Sequence, residues 1–542
     1  MKKSNNLKKL NIGCGKDYRE GFINIDIRKD VNSDLTHDIS EPFPFSQNST
    51  SEILANDIFE HLTNEQQISL FSELYRILIN EGTLHVRIPN YDDILKRFAK
   101  DPDTRNLFLF GDTSESGIWG SHKSRNTLNS FIVSAIENGF KVVKCASVET
   151  NYEIEFVKSK IPILKGIVYI NQTLSMGGAE SFMTQLLVWF LNNKIPVKAR
   201  STLRRFSDDL KSRGIQTKKI PIVVDVIGNW KGLVKGIFLM PLAIVYYAYL
   251  TIIYRNCGTI LLSGYIEKIL VTPWANLFKV PVVWIEYGPL QAIFSKFFGL
   301  PKFLYRLVST LPDFIIEPSN TTMMNNVNIA GISTGRTKII PCGIYPPKPV
   351  KCDTQNLTVY CVSRMEKGKG QDLLINAWPA VLKRYPKAEL YLIGEGVFQT
   401  ELKKLTSKLN LNKSIFFLNW VNDLTKKISS LQLAVFPSVW PLEGFGMVLI
   451  EAMSLGKPIV CFDSGPYNEI VNSKCALLVK KGDTKELSDA IIKIFSSSQL
   501  AKKIGLNGKN RFTRLFTLDK IAKNYYKVLL QAQIRTESDK YK

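Results

Sequence analysis

The chain has 542 residues, more than one hydrophobic core usually organises, so about two to four domains are expected. Its 45% hydrophobic and 22% charged content are those of globular protein and exclude a disordered or fibrous chain. Lys+Arg 71 against Asp+Glu 48 gives a net charge of +23, divided unevenly as −4 over residues 1–158 and +27 over residues 159–542. Such a basic surface suits nucleic acid, anionic lipid or polyanionic substrates. There is no Arg-rich arm, zinc-finger spacing or aromatic RNA-binding signature, so nucleic acid is not the expected partner. The eight cysteines form no C-x-x-C pair and MKKSNNLKKLN lacks the apolar stretch of a secretory signal, so a cytoplasmic, reduced protein is expected.

In chain order, residues 1–158 alternate short strand-like runs (KKLNIGC, FINID, SEILAND, GTLHVRI) with the amphipathic QQISLFSELYRILI. This is the alternation of a doubly wound α/β sheet. The pattern restarts after SKIPILK with GIVYINQ, a strand entering a Gly-rich turn, which places a domain boundary at 158/159. A second α/β unit, 159–345, runs through VVWIEYG and DFIIEPS to the Pro-rich IYPPKPVK, read as a linker. Within it GIFLMPLAIVYYAYLTIIY, residues 236–254, has 19 residues without a charge. It is long enough to span a bilayer. It nevertheless contains Pro241 and several tyrosines and sits between strands of one domain, so a buried or membrane-surface helix is expected instead.

A third α/β unit, 346–520, contains LTVYCVSRM, AELYLIG, SIFFLNW, LQLAVFPS and PIVCFDS, and LDKIAKNYYKVLLQAQI opens a terminal helix and tail, 521–542. Ligands of open parallel sheets bind outside the carboxyl ends of the strands. There LQLAVFPS leads into VWPLEGFG and a helix beginning at MVLIEAMS, so the free amides of Phe445, Gly446 and Met447 would face a ligand's oxygens. Glu443 in the loop and Glu451 in the helix are acceptor-only carboxylates suited to pairs of sugar hydroxyls. Arg364 and Lys369 in SRMEKGKGQ form a cationic pair at another strand's end, able to neutralise a leaving diphosphate without Mg²⁺. Gly394 in LIGEG and the loop DSGPYNEIV add further edge turns.

In this order and spacing, E-x7-E with its internal GFG, SRM-x3-KG and EAMSLGKPIV resemble the donor-binding domain of the family 4 glycosyltransferases, retaining enzymes of GT-B architecture, over residues 166–535. SMGGAES resembles the family's first acceptor-lobe loop, which implies that Gly177 and Gly178 lie against the donor diphosphate. The resemblance implies Glu451 on the nucleotide ribose, Glu443 on the sugar hydroxyls, Arg364 and Lys369 on the diphosphate, and the Phe445 and Gly446 amides on the sugar. It further implies front-face transfer with retention, the departing phosphate taking the acceptor proton, so no protein nucleophile is assigned and no metal is expected. The histidine that family members often carry in the first lobe is absent, since residues 123–542 contain none. WIEYGPL occupies its place, with Glu286 and Tyr287 as the candidates.

At the amino terminus, a strand enters Gly13-Cys14-Gly15 and a second strand ends in Asp26, a glycine turn and an acid suited to a nucleoside and its ribose diol. This resembles motif I of the class I S-adenosylmethionine-dependent methyltransferases over residues 7–157. The resemblance implies Gly13, Gly15, Asp26, Asp38 and Asp57 as the cofactor-binding set, with His61, His85 and His122 weighed equally as structural histidines or a methyl-transfer base. Only residues 16–21 separate the glycine turn from the second strand, too few for an intervening helix. DPD at 101–103 mimics a metal-binding D-x-D in a loop setting that argues against that role.

The expectation is an α/β bifunctional enzyme of bacterial surface polysaccharide: a methyltransferase-like domain followed by two Rossmann-like lobes. These transfer a hexosyl group from a UDP- or GDP-linked sugar to a lipid-linked glycan acceptor. The basic lobes and the apolar 236–254 segment would dock on the anionic inner face of the cell membrane. The alternative keeps glycosyl transfer as the only chemistry and makes the amino-terminal domain an acceptor- or partner-binding module.

Overall fold

A computed structural model describes residues 7–111, 121–124, 126–173, 176–224, 230–347, 357–419, 424–441 and 443–538. Residues 348–356, which include the second half of the expected linker IYPPKPVK, and Ser175 of SMGGAES lie outside the described residues. The chain divides into two compact units, Lys165–Leu529 and a smaller one formed by Met1–Leu164 with Leu530–Lys542.

The smaller unit is built on a seven-stranded sheet: β1 (Lys8–Ile12), β2 (Ile23–Asp26), β3 (Leu35–Thr36), β4 (Thr50–Asn56), β5 (Leu78–Pro89), β6 (Phe140–Val148) and β7 (Asn151–Lys158). Their order is β3-β2-β1-β4-β5-β7-β6. The pairs through β5 are parallel, while β7 runs antiparallel to both β5 and β6. This closing antiparallel pair has no counterpart in the sequence reading, because FKVVKCASV and NYEIEFVK carry charges along one edge of the alternation. The helix expected from QQISLFSELYRILI runs Asn64–Ile77, starting two residues early. Thr63 and Gln66 form a capping box, which satisfies two otherwise orphaned amides. Its Leu70, Phe71, Leu74 and Ile77 recur at helical spacing and are buried against Phe59, Phe131, Phe140 and Phe156.

The larger unit holds two parallel sheets. The first comprises β8 (Ile167–Asn171), β9 (Val197–Ser201), β10 (Gln216–Lys219), β11 (Thr259–Leu262), β12 (Val282–Ile285), β13 (Phe314–Glu317) and β14 (Thr337–Ile339), in the order β10-β9-β8-β11-β12-β13-β14. The second comprises β15 (Thr358–Val362), β16 (Glu389–Ile393), β17 (Ile415–Leu418), β18 (Leu433–Phe436), β19 (Ile459–Phe462) and β20 (Leu477–Val479), in the order β17-β16-β15-β18-β19-β20. The strands of β11, β12, β13, β18 and β19 are buried throughout, as sheets covered by helices on both faces require. β20 was not anticipated; three residues give no readable period.

The strand order reverses between β8 and β11 in one sheet and between β15 and β18 in the other. These reversals open the crevices where ligands bind. The two lobes are tied together by side chains. Glu469 of the second lobe accepts from the amides of Asn320 and Thr321, both at 2.7 Å, at the start of the first-lobe helix Asn320–Ala330. Thr322 and Ser319 donate to the Gly444 carbonyl at 2.8 and 3.2 Å.

The apolar segment forms the helix Trp230–Tyr254, crossing over between β10 and β11. Ala243, Tyr247, Leu250 and Tyr254 bury one stripe in the first-lobe core. Phe238, Leu242, Val245 and Tyr249 are exposed, Phe238 at 81%. It is the one helix among the described residues long and apolar enough to cross a membrane.

Candidate functional site

A cavity of about 400 Å³ opens between the two sheets of the larger unit, at both strand-order reversals. The turn after β8 brings Gly177 and Gly178 to it, the loop after β15 brings Arg364 and Lys369, and the loop after β18 brings Glu443, Phe445 and Gly446. Glycine is required where the backbones meet. A Cβ on Gly444 would lie 1.8 Å from the Tyr287 carbonyl of the opposite lobe, and one on Gly370 1.8 Å from the Pro437 carbonyl. Gly446, at φ +120°, caps the helix Met447–Ser454 and leaves its first amides facing the cavity.

Lys369 Nζ donates to Glu443 Oε2 at 2.7 Å, with both side chains largely buried, and Ser438 donates to the same oxygen at 3.3 Å. Trp440 covers the ammonium, its ring centroid 5.4 Å away. Arg364 is mostly exposed and pairs with Glu366 at 2.9 Å, so its guanidinium can turn to a ligand at small cost. Glu451 lies one turn beyond the lining residues Met447 and Val448, near Tyr360, and burial pushes its carboxyl up to about 7. The cavity is therefore lined by the cations Arg364 and Lys369, a helix amino terminus and the carboxylates of Glu180 and Glu443, with Glu451 lying behind that lining.

Three expected donor-site residues do not border the cavity: Glu451, just described, Glu286 and Gly394. Glu286 is turned into the first-lobe core, where Lys268 Nζ donates to it at 2.6 Å and Tyr305 at 2.7 Å; this pair is only 2% and 4% exposed. A carboxylate at the end of the wholly buried β12 needs such a partner. Tyr287, the next residue, lines the cavity in its place. Gly394 does not border the cavity either; it lets the ends of β15 and β16 close up, since a Cβ there would meet the Ser363 carbonyl at 2.2 Å. Trp440, Ser438 and Tyr467 border the cavity and were not singled out by sequence. Their only signal was position in quoted edge loops, VWPLEGFG, AVFPS and DSGPYNEIV.

The smaller unit has its own cavity, about 680 Å³, at the reversal between β1 and β4. Gly13, Asp26, Asp38 and Asp57 border it; Gly15 does not, its amide donating to Asp26 at 2.8 Å. Gly13 has φ +63° and a Cβ there would meet Ile58 Cγ2 at 2.3 Å. Burial would raise the Asp26 carboxyl, but hydrogen bonds from the Arg28 side chain and from the Arg28 and Gly15 amides hold it below the usual range. Asp38 accepts from the Ser40 amide and hydroxyl at 2.8 and 2.7 Å, and Asp57 pairs with Arg87. Neither arginine had been read as part of this site. His61 and His122 reach the same cavity, while His85 lies on β5 beside Glu52 at 3.7 Å. Burial pushes the Glu60 carboxyl up to about 8 and lowers His61. In DPD, Asp101 caps the helix Pro102–Phe110, accepting from the Thr104 amide at 3.2 Å.

Residues 347–511 match the family Glycosyl transferases group 1, so the carboxyl-terminal part of the chain carries a glycosyltransferase group 1 domain. The chain is 27% identical over 238 residues to the lipopolysaccharide core biosynthesis mannosyltransferase LpsB of Rhizobium meliloti, covering 42% of this chain and 66% of that one. It is 29% identical over 236 residues to the N-acetylgalactosamine-N,N'-diacetylbacillosaminyl-diphospho-undecaprenol 4-alpha-N-acetylgalactosaminyltransferase of Campylobacter jejuni, covering 42% of this chain and 63% of that one. The matches span between 33% and 66% of the lengths of the first three curated relatives. Among solved structures, Anabaena HepE in complex with UDP superposes with a TM-score of 0.58 at 20% identity, covering 67% of this chain and 99% of that one. The fold is thus α/β with Rossmann-like parallel sheets in the GT-B arrangement.

Proposed function

We propose that this chain transfers a hexosyl group from a UDP- or GDP-linked sugar to a lipid-linked or glycan acceptor of a bacterial surface polysaccharide, with retention at the anomeric carbon and without a metal ion. The observation that carries this reading is the cavity at both strand-order reversals, where Lys369, Arg364 and the amides at Gly446 converge with Glu443. The cations and amides would neutralise the diphosphate as the bond from the anomeric carbon to its oxygen breaks. The new bond to the acceptor oxygen forms on the same face, and the acceptor proton passes to the departing phosphate oxygen. Glu443 would hold sugar hydroxyls, and Glu451 the ribose. This assigns the roles of the family 4 resemblance to residues whose placement is compatible with them; Glu286 and Gly394 are left out of the donor site.

Docking at the cytoplasmic face of the membrane is part of the proposal. It is supported by the exposed apolar stripe of the helix Trp230–Tyr254, by the exposed Phe298, whose ring lies 6.3 Å from that of Trp230, and by the net +27 of residues 159–542.

For the smaller unit we propose S-adenosylmethionine-dependent methyl transfer. The residues fit a nucleoside: a glycine turn that admits no Cβ, and carboxylates at the ends of β2 and β4 on a cavity at the strand-order reversal. When bound, S-adenosylmethionine supplies an electrophilic methyl group. Asp26 would accept the ribose hydroxyls, and the Gly13 turn would let the backbone approach. A second reading, a non-catalytic module that binds the acceptor or a partner, is favoured by the occupied state of these acids: Asp26 is already engaged by Arg28 and Gly15, and Asp57 by Arg87.

A thermal-shift panel of UDP, GDP, ADP and S-adenosylhomocysteine on wild type and Glu451→Ala tests both. A ligand at a hundredfold its Kd adds about 2.7 kcal/mol to the folded state. One nucleotide stabilising wild type alone, with S-adenosylhomocysteine stabilising both proteins, is the expected result. Silence of every nucleotide would remove the transferase reading, and silence of S-adenosylhomocysteine would favour the binding module.

A further inference from the structure

The loop bearing His122 is fastened onto Glu60: the amides of Lys123 and Ser124 donate to the Glu60 carbonyl at 2.8 and 3.1 Å. This brings together residues distant in sequence, because Glu60 and His61 belong to the single turn Phe59–His61 that follows β4. One ligating atom from each of Glu60, His61 and His122 lies within 4.8 Å of the others. The two imidazoles stand 5.0 Å apart at 71°. Ordinary aromatic packing would account for the rings but not for the carboxylate within 4.8 Å of both.

Two details point to a ligand. Glu60 is 5% exposed and borders the cavity, yet its Oε2 is buried with no hydrogen-bond partner. A buried acceptor without a partner is costly, and native proteins rarely keep one without a reason. His61 Nδ1 lies 3.1 Å from the Ser121 carbonyl, which can only accept, so the neutral ring carries its proton on Nδ1 and offers the Nε2 lone pair. A backbone carbonyl that fixes the tautomer is the usual support of a metal-binding histidine.

We propose that Glu60, His61 and His122 form a binding site for a divalent transition ion, Zn²⁺ by the chemistry of the donor set, with an open coordination position facing the cavity of the smaller unit. Bonds of about 2.0–2.2 Å to two imidazoles and one carboxylate suit Zn²⁺, and three protein ligands leave room for water or substrate. Arg28 and Lys123 border the same cavity, so an anionic oxygen of a substrate, phosphate or carboxylate, is the group the open position would take. The ion would satisfy the stranded Glu60 oxygen. This site departs from the expectation that no metal is used, and it stands independently of methyl transfer.

The test is titration of the untagged, chelator-stripped full chain with Co²⁺, read by its visible absorption and by displacement with Zn²⁺. The chain has four histidines, so the remaining pair is an internal control. Saturation at one equivalent in wild type and in His37→Gln/His85→Gln, with at least a hundredfold weaker binding in His61→Gln/His122→Gln, is expected. Absence of a saturable spectrum, or equal binding in the two double variants, overturns the site. Should His61→Gln/His122→Gln not fold, the isosteric Glu60→Gln decides: a loss of tenfold or more in Co²⁺ affinity sustains the proposal, and unchanged affinity overturns it.

Discussion

Lys369 Nζ and Glu443 Oε2 are 2.7 Å apart and mostly shielded from water, so the cation and the carboxylate nearest the donor cavity hold each other. Lys369→Met leaves Glu443 without its charge partner, and Glu443→Gln leaves Lys369 with a neutral one. Under the proposed roles, Lys369→Met weakens the diphosphate nucleotide about 10- to 100-fold, a loss of about 1.4–2.8 kcal/mol. Glu443→Gln should leave affinity for the bare nucleotide within about threefold and lower turnover of the nucleotide sugar. Calorimetry with nucleotide and nucleotide sugar side by side separates the two.

Glu451 titrates near neutrality because burial penalises its charge. If its carboxylate accepts the ribose hydroxyls, nucleotide affinity rises roughly tenfold from pH 6 to pH 8, as a group with a pKa of about 7 goes from one-tenth to nine-tenths ionised. Glu451→Gln removes that component and leaves only the nucleotide's own titration. The stability effect has the opposite slope. The folded pKa of about 7 stands above the ordinary 4.5, so the contribution is fully present below about 4.5 and is lost as pH rises through about 7. Chemical denaturation at pH 5 and pH 8 should show a smaller pH effect in Glu451→Gln than in wild type.

The lobes meet without slack at Gly444, where a Cβ would stand 1.8 Å from the Tyr287 carbonyl. Gly444→Ala must force the lobes apart or distort the Glu443 loop, at a cost of about 1–3 kcal/mol. Activity should fall well beyond what the lowered melting temperature explains. Glu469→Ala leaves Ser319 as the N-cap of the helix Asn320–Ala330 but removes the second-lobe carboxylate that accepts from its first two amides, a contact of the kind that contributes about 0.5–2 kcal/mol. Small-angle scattering that shows no loosening of the lobes in Glu469→Ala would contradict this role.

Glu286 should behave as a core residue. Removing one partner of a buried ion pair costs about 3–5 kcal/mol, so Glu286→Ala should lower the stability of the larger unit sharply. Its effect on donor choice, measured as the ratio of kcat/KM for UDP- and GDP-sugars in whatever fraction folds, should be small. A changed donor preference with unchanged stability would return Glu286 to the donor site.

Membrane docking through the helix Trp230–Tyr254 predicts that Phe238→Asp with Val245→Asp reduces sedimentation with anionic vesicles at least tenfold while nucleotide binding is retained. Both side chains are exposed, at 81% and 66%, so the core should tolerate the change. Binding in the wild type should weaken as salt is raised, since the basic surface is screened.

Much of the architecture was legible in the sequence because period and punctuation are local. Buried parallel strands appear as apolar runs such as AVFP and IVCF, and glycine marks the turns where Gly370 and Gly446 take positive φ. The same locality placed Arg364, Lys369, Glu443, Gly177 and Gly178 at strand ends, which is enough to bring them to one cavity once the sheets close. Where a side chain points, and what it meets there, depends on residues far away in the chain. Glu286 and Tyr287 are adjacent in sequence, yet the alternation along β12 and the presence of Lys268 send one into the core and the other to the cavity. Glu60 and His122 carry no shared motif, and they are set side by side by tertiary hydrogen bonds, among them those from residues 123 and 124 to the Glu60 carbonyl and from His61 to the Ser121 carbonyl. Sequence alone thus determined many of the elements and their edge loops through local propensity and pattern, though not the antiparallel β6–β7 pair or β20. The tertiary structure decided the pairings, because burial and charge compensation are properties of what packs around a group.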